Sequence, residues 1–246
     1  MAIAPLIPSN WSSFPEEFRA RIGSTVGRQR VMVSDGDLLI VAHSPPEHDE
    51  AGRRGILFWH DSQGEWRCSN GDPGKVALGM HLDRYAKRID LFEQQESSAV
   101  KADEYLHVLE GLAPLVRSTR NLLEALEEAR KSLPGERPLI DYRDRAYDLS
   151  RQTELLYEDT KNSMDVAVIR RADEQASATH QMTVAAHRLN MLAATFFPFA
   201  TLGAIFGTTF TENWSWSQSV TPFILFLVAG LLIGAILATF ITRPSS

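Results

Sequence analysis

Four side chains near the end of the chain share one helical direction. At 100° per residue, Asn190, Phe197, Thr201 and Thr208 fall within about 20° of a common line. An amide, an aromatic ring and two hydroxyls in that order suit passage of an ion and offer nothing for making or breaking bonds. Polar groups inside an apolar span are costly against lipid, so they face a cavity or another helix. In a symmetric oligomer the stripe would form rings: amides near the cytoplasm, an aromatic constriction at Phe197 that closes by dewetting, then hydroxyls. The competing reading is that the threonines bond back to their own helix carbonyls. For Thr201 the sequence leaves both readings open, and Asn190 favours the pore.

These residues need elements that cross a bilayer. Leu189 to Phe210 and Val220 to Ile241 are each 22 residues without a charge. As helices each would rise about 33 Å, enough for a hydrocarbon core of roughly 30 Å. A buried hairpin in a soluble core is the weaker reading, because two such spans would swamp so small a domain. The connection Thr211 to Ser219 carries Glu212, Trp214 and Trp216, and interfacial aromatics belong there. His187 and Arg188 flank the first span and Arg243 the second, which predicts an inner-membrane protein with both termini cytoplasmic. Gly203 with Gly207, and Gly230 with Gly234, are small-residue pairs suited to close packing of spans.

The rest of the chain is charged and folded. Of 25 basic and 31 acidic residues, all but Arg243 and Glu212 precede Leu189, so the net charge of -6 belongs to the N-terminal part. An acidic surface of this kind argues against nucleic acid as partner. One cysteine, Cys68, excludes an intrachain disulfide, and Met1 to Pro8 lacks the basic and apolar regions of a signal peptide. Arg30 to Val33 and Leu38 to Val41 are apolar runs about a Ser34-Asp35-Gly36-Asp37 turn, and Ile56 to Trp59 and Glu65 to Cys68 repeat the arrangement. Ser44 to Arg54 reads as a polar loop. Leu82, Tyr85, Ile89 and Phe92 predict one amphipathic helix. Tyr105, Leu109, Leu112, Val116, Thr119, Leu123 and Leu126 predict a second, with Gly111 and Pro114 expected to kink or restart it. From Leu139 to Arg188 neither proline nor glycine occurs, and a helix from Leu139 to Phe210 would be about 108 Å long. Its seam runs Tyr142, Ala146, Leu149, Thr153, Leu156, Thr160, Ser163 and Ala167. A helix of that length must pack on copies of itself or on the preceding hairpin. The expected fold class is α+β with transmembrane helices: a small antiparallel β unit (1–74), a cytoplasmic helical and stalk region (75–188) and a two-helix membrane domain (189–246).

Residues Arg188-Leu189-Asn190-Met191, Thr195 to Phe199 with Pro198, and Ala204-Ile205-Phe206-Gly207-Thr208-Thr209-Phe210 resemble the CorA metal-ion transporter family. The Trp-bearing loop and Thr221-Pro222-Phe223 extend the resemblance over about Leu139 to Thr242. It implies a homopentameric funnel and passive movement of divalent cations, magnesium among them, through a central pore. In that family the first span ends in Gly-Met-Asn, whose asparagines ring the pore mouth around the hydrated cation. Gly207, Thr208 and Thr209 stand there in this chain. A threonine hydroxyl on a β-branched stub reaches less far than an amide, so the resemblance implies a wider and weaker ring. The basic cluster common after the second span is reduced to Arg243.

Other constellations are weaker. His43, His48, His60 and Cys68 match no zinc spacing, Asp35-Gly36-Asp37 is a turn before it is a cation site, and Glu154, Glu158, Asp159 and Asp165 read as a solvated helix face. No nucleophile with a companion base and no phosphate-cradling loop is found, so neither an enzyme nor a bound cofactor is expected, and no metal ligand is assigned. Two functions remain: a homopentameric cation channel in the bilayer, or a non-transporting anchor or signalling-coupled effector on the same scaffold. The intramembrane polar stripe favours the channel, and the Thr208-Thr209 pair favours the anchor.

Overall fold

A computed structural model describes residues 7–23, 25–47, 54–206 and 220–242, excepting the side chains of 202, 205, 206, 222, 223, 226, 237, 238 and 240–242. The chain divides into two compact units, Met1–Ile169 and Arg170–Ser246.

In the first unit, strands β1 (Arg30–Ser34), β2 (Asp37–His43), β3 (Gly55–His60) and β4 (Trp66–Cys68) form an antiparallel meander in sequence order. The first hairpin closes where Ser34 pairs with Asp37. Both residues between them, Asp35 and Gly36, take positive φ, 45° and 88°. A two-residue turn that follows the strand twist needs that geometry, and Asp-Gly supplies it at little cost. Both expected hairpins are present. Of the expected polar loop, 48–53 lie outside the described residues.

The strands read as unbroken apolar runs because both faces of the sheet are covered. Leu38, Ile40, Ala42, Ile56 and Phe58 enter one core with the long helices. Leu39, Val41, Leu57 and Trp59 enter a second core with Trp11, Phe14 and Phe18. That second cover includes a short helix, α1 (Glu16–Arg21), absent from the sequence reading. Its signal was the cluster of apolar residues Trp11, Phe14 and Phe18, of which only Phe18 lies in the helix.

Helices α2 (Gly74–Ser98) and α3 (Ala102–Ser132) bury the anticipated faces, including Leu82, Tyr85, Ile89 and Phe92 on α2 and Leu109, Leu112, Thr119 and Leu126 on α3. The expected restart at Gly111 and Pro114 does not occur, and α3 runs through both. A Cβ on Gly111 would lie 2.4 Å from the Phe92 ring, so this glycine serves close approach of α2. Pro114 forfeits one backbone bond in a helix held by packing along its length, and Glu110, one turn earlier, is exposed to water.

After the turn at Leu133–Pro138, α4 (Pro138–Phe206) begins. Its anticipated seam settles against this chain's own hairpin. Leu139, Ala146 and Leu149 join the core of α2 and α3, with Tyr142 and Leu156 packed on it. The buried hydroxyls of Thr153 and Thr160 donate to the carbonyls of Leu149 and Leu156, each at 2.6 Å. Back-bonding of this kind lets a seam of increasing polarity stay dry. Ser163 reaches Glu96 of α2 at 3.2 Å.

Buried polar groups join the three elements. The Gln29 amide donates to the Ser118 carbonyl (2.8 Å), and its oxygen accepts from the His43 amide (3.2 Å). The Tyr85 hydroxyl donates to the His43 carbonyl (2.9 Å) and lies 2.6 Å from the Ser118 hydroxyl. His81, one turn before Tyr85, is fully buried against Phe58 and Tyr85, and among the described residues neither ring nitrogen has a hydrogen-bond partner. Burial, then the charge of Arg84, pushes its pKa down to about 3.

The second unit contains the end of α4 and helix α5 (Thr221–Thr242). Among the described residues no helix is long and apolar enough to cross a membrane. The end of the first expected span and the whole connection, 207–219, lie outside them.

Two outcomes test this core. Tyr85→Phe leaves the His43 carbonyl and Ser118 hydroxyl short of a partner, and it is expected to lower unfolding free energy by about 1–3 kcal/mol in urea titrations followed by tryptophan fluorescence. His81 has a folded pKa below its unfolded value, so as pH falls from the ordinary histidine range toward about 3 the unfolded chain takes up the proton first and stability is lost. His81→Leu should remove that slope, at most about 1.4 kcal/mol per pH unit, in unfolding midpoints measured from pH 7 to 4.

Candidate functional site

The second unit is built on a contact of α4 with α5. A Cβ on Gly230 would lie 2.8 Å from the Phe199 ring, and one on Gly234 would lie 3.7 Å from the Thr195 Cα. Residue numbers rise along one helix as they fall along the other, so the helices pack antiparallel. Gly230 and Gly234 are both buried. Glycines four apart remove the side chains that would hold two helices apart, which is the use anticipated for that pair. Gly203, from the other small pair, is exposed with nothing within 4 Å of a Cβ placed on it. Pro198 is buried, while its neighbour Phe197 is 70% exposed.

This contact orients the rest of α4. Asn190, Phe197 and Thr201 lie about 120° to 180° around the helix from Thr195 and Phe199, at 100° per residue. All three are exposed and turned from α5. The Thr201 hydroxyl donates to the Phe197 carbonyl at 2.9 Å, and Thr195 does the same to Met191. For Thr201 the back-bonding reading therefore describes where its proton goes. Its oxygen keeps lone-pair capacity to accept from water. Thr208, the mouth residues Gly207, Thr208 and Thr209, and the loop residues Glu212, Trp214 and Trp216 lie outside the described residues.

The apolar surface around this site is extensive. Phe196, Leu189 and Leu192 on α4 and Leu225, Leu231 and Leu232 on α5 are more than half exposed. From 170 to 190 every residue of α4 is exposed. Isolated apolar side chains at a surface are ordinary, but a continuous apolar sleeve marks a site of contact with lipid or another chain.

The histidines and cysteine of the first unit are not brought together. His43 Nε2 lies 2.9 Å from the Gly27 carbonyl, and His60 faces Trp66. Cys68 donates to Asn70 at 2.8 Å. Burial pushes its thiol up to about 11, leaving it protonated and a poor nucleophile or ligand. Among the described residues no group of three or more His, Cys, Asp and Glu is placed to hold a metal ion. His48 lies outside them.

No protein-family model matches the chain, and no curated protein matches it in sequence. Among solved structures it is similar to the complete CorA magnesium transporter of Methanocaldococcus jannaschii, with 14% identity and a TM-score of 0.44 over 95% of this chain and 84% of that one. A likeness at this score and identity establishes neither family nor activity.

The placement of α5 has a direct test. Cysteines introduced together at Thr195 and Gly234 are expected to cross-link readily under mild oxidation. The pair at Phe197 and Gly234 should fail, because Phe197 is on the far side of α4. Mass shifts on non-reducing gels read the result, and equal cross-linking of both pairs would mean the faces are assigned wrongly.

Proposed function

We propose that this chain is a two-span membrane protein that self-associates around the face of α4 bearing Asn190, Phe197 and Thr201, a stripe that the helical period of the sequence extends to Thr208, forming a passive cation pore. The observation that carries the reading is the opposition of faces. Small residues of α5 pack on Thr195 and Phe199, and the polar stripe is left on the other side. A hairpin arranged in this way presents its outer helix to lipid and its stripe to a central axis when copies gather. The full sequence supports a membrane setting, since α5 has 22 residues and no charged side chain, a rise of about 33 Å. The exposed sleeve of leucines and phenylalanines has the same requirement for cover.

The cation preference follows from charge. No fixed positive charge lies on the α4 stripe beyond Arg188, and the acidic excess of residues 1–188 raises the local concentration of cations. The resemblance to CorA transporters points to divalent ions, magnesium included, and to a homopentamer. The second reading, a non-transporting anchor or signalling-coupled effector, is favoured by the Thr201 bond to its own helix and by Thr208-Thr209 in place of the family's mouth residues.

Purified protein in liposomes separates the two. Flux of magnesium, cobalt, nickel and zinc, with monovalent ions as controls, is expected in the wild type, and native mass in detergent should give about five copies. Phe197→Ala, which removes the apolar constriction, should raise flux by roughly an order of magnitude without loss of assembly. A clean monomer, or no flux in either protein, would leave the anchor reading standing.

A further inference from the structure

His60 ends β3 on the side of the sheet that carries Phe58 and Ile56 toward the long helices. It is 7% exposed, and neither ring nitrogen has a hydrogen-bond partner among the described residues. The Trp66 ring lies edge-on at 4.9 Å. Glu136 is its one charged neighbour within ion-pair distance among those residues, with Oε2 3.8 Å from Nε2. That separation is too long for a hydrogen bond and short enough for an ion pair to close.

Each element packed on His60 can be checked for a competing charge. Across the sheet it pairs with Leu38 on β2 and Trp66 on β4, neither of them charged. The adjacent Asp61 is already occupied. Its carboxylate accepts from the amides of Gln63 and Glu65 and pairs with Arg67 at 3.0 Å. Helix α2 turns Ala77, Leu78 and the titratable His81 toward the sheet, with His81 against Phe58; Arg130 at the end of α3 donates to the carbonyls of Leu133 and Pro134, and the connection between α3 and α4 contributes Glu136, with its side chain 30% exposed.

Glu136 sits at the root of α4. Its carbonyl accepts the amide of Leu139 at 3.2 Å, and Arg137 accepts that of Ile140 at 3.0 Å, which together make the first turn of the helix. A carboxylate there is also favoured by the helix dipole. We propose that His60 and Glu136 form a proton-operated clamp between the sheet and the start of α4. Neutral imidazole leaves two buried nitrogens unsatisfied and the clamp open. Protonated imidazole is a charged double donor, and Glu136 needs to move by only about 1 Å to accept from it. The sign follows: its contribution is present while His60 carries the proton and is lost as pH rises. That the clamp bears on transport rests on the pore reading of α4, whereas the clamp itself stands on the geometry of the first unit.

Hydrogen exchange on the full chain in detergent, corrected for intrinsic rates, tests it from pH 8 to 5.5. Protection of the Leu139 and Ile140 amides is expected to rise about fivefold or more as pH falls in the wild type, the scale of one charge-assisted bond. In Glu136→Gln, a partly exposed change that keeps the fold, the rise should disappear, and in His60→Gln likewise. A flat wild-type profile, or a rise that persists in Glu136→Gln, overturns the proposal. Neither result depends on whether the chain conducts ions, so failure of the clamp and failure of the pore reading remain distinguishable.

Discussion

The Tyr85 hydroxyl, held between the His43 carbonyl and the Ser118 hydroxyl, is the contact on which the first unit depends. Through it the last residue of β2 is tied to α2 and α3 at once, and Gln29 closes the same knot from the residue before β1. Apolar packing alone tolerates sliding, because one leucine can replace another against a sheet. Buried polar groups do not tolerate it, since a shift leaves each donor and acceptor unsatisfied in a dry environment. The network therefore sets the register of the helical hairpin on the sheet, and with it the groove that receives the first half of α4.

Along its length α4 changes its surroundings. Up to Ser163 its seam is held by the hairpin, with threonine hydroxyls satisfied by the helix itself. From Arg170 to Asn190 every residue is exposed, and beyond that Thr195 and Phe199 meet the glycines of α5. A lone helix is marginal in water even with favourable residues, because nucleation is costly and little surface is buried. The exposed stretch is consequently the part of the chain with most to gain from a partner. The small residues Ala172, Ala176 and Ala186 allow one to approach closely.

Two histidines illustrate how burial divides similar residues. Among the described residues His81 and His60 both lack hydrogen-bond partners for their ring nitrogens. His81 is enclosed by aromatic rings with Arg84 nearby, and remains neutral. His60 has a carboxylate within reach. A carboxylate 3.8 Å away is what distinguishes the surroundings of His60 from those of His81.

Much of the architecture was legible in local pattern. The Asp35-Gly36 turn, the apolar runs of the strands, the face of α2 and the seam of α4 follow from chirality and from periods of two and 3.6, which act over a few residues. The pairing of Gly230 and Gly234 with another helix was legible for the same reason. What local pattern could not reveal were choices made between distant segments. That Leu139, Ala146 and Leu149 of α4 share a core with α2 and α3 depended on apolar residues brought together from all three helices. The role of Gly111 depended on Phe92, nineteen residues away, and the second face of the sheet depended on Trp11, Phe14 and Phe18 folding back over it. The stripe of Asn190, Phe197 and Thr201 was written in the sequence as an angle on a helix. Only the tertiary contact with α5 gave that angle a packed side and an open side, because a helix has no preferred face until something packs against one.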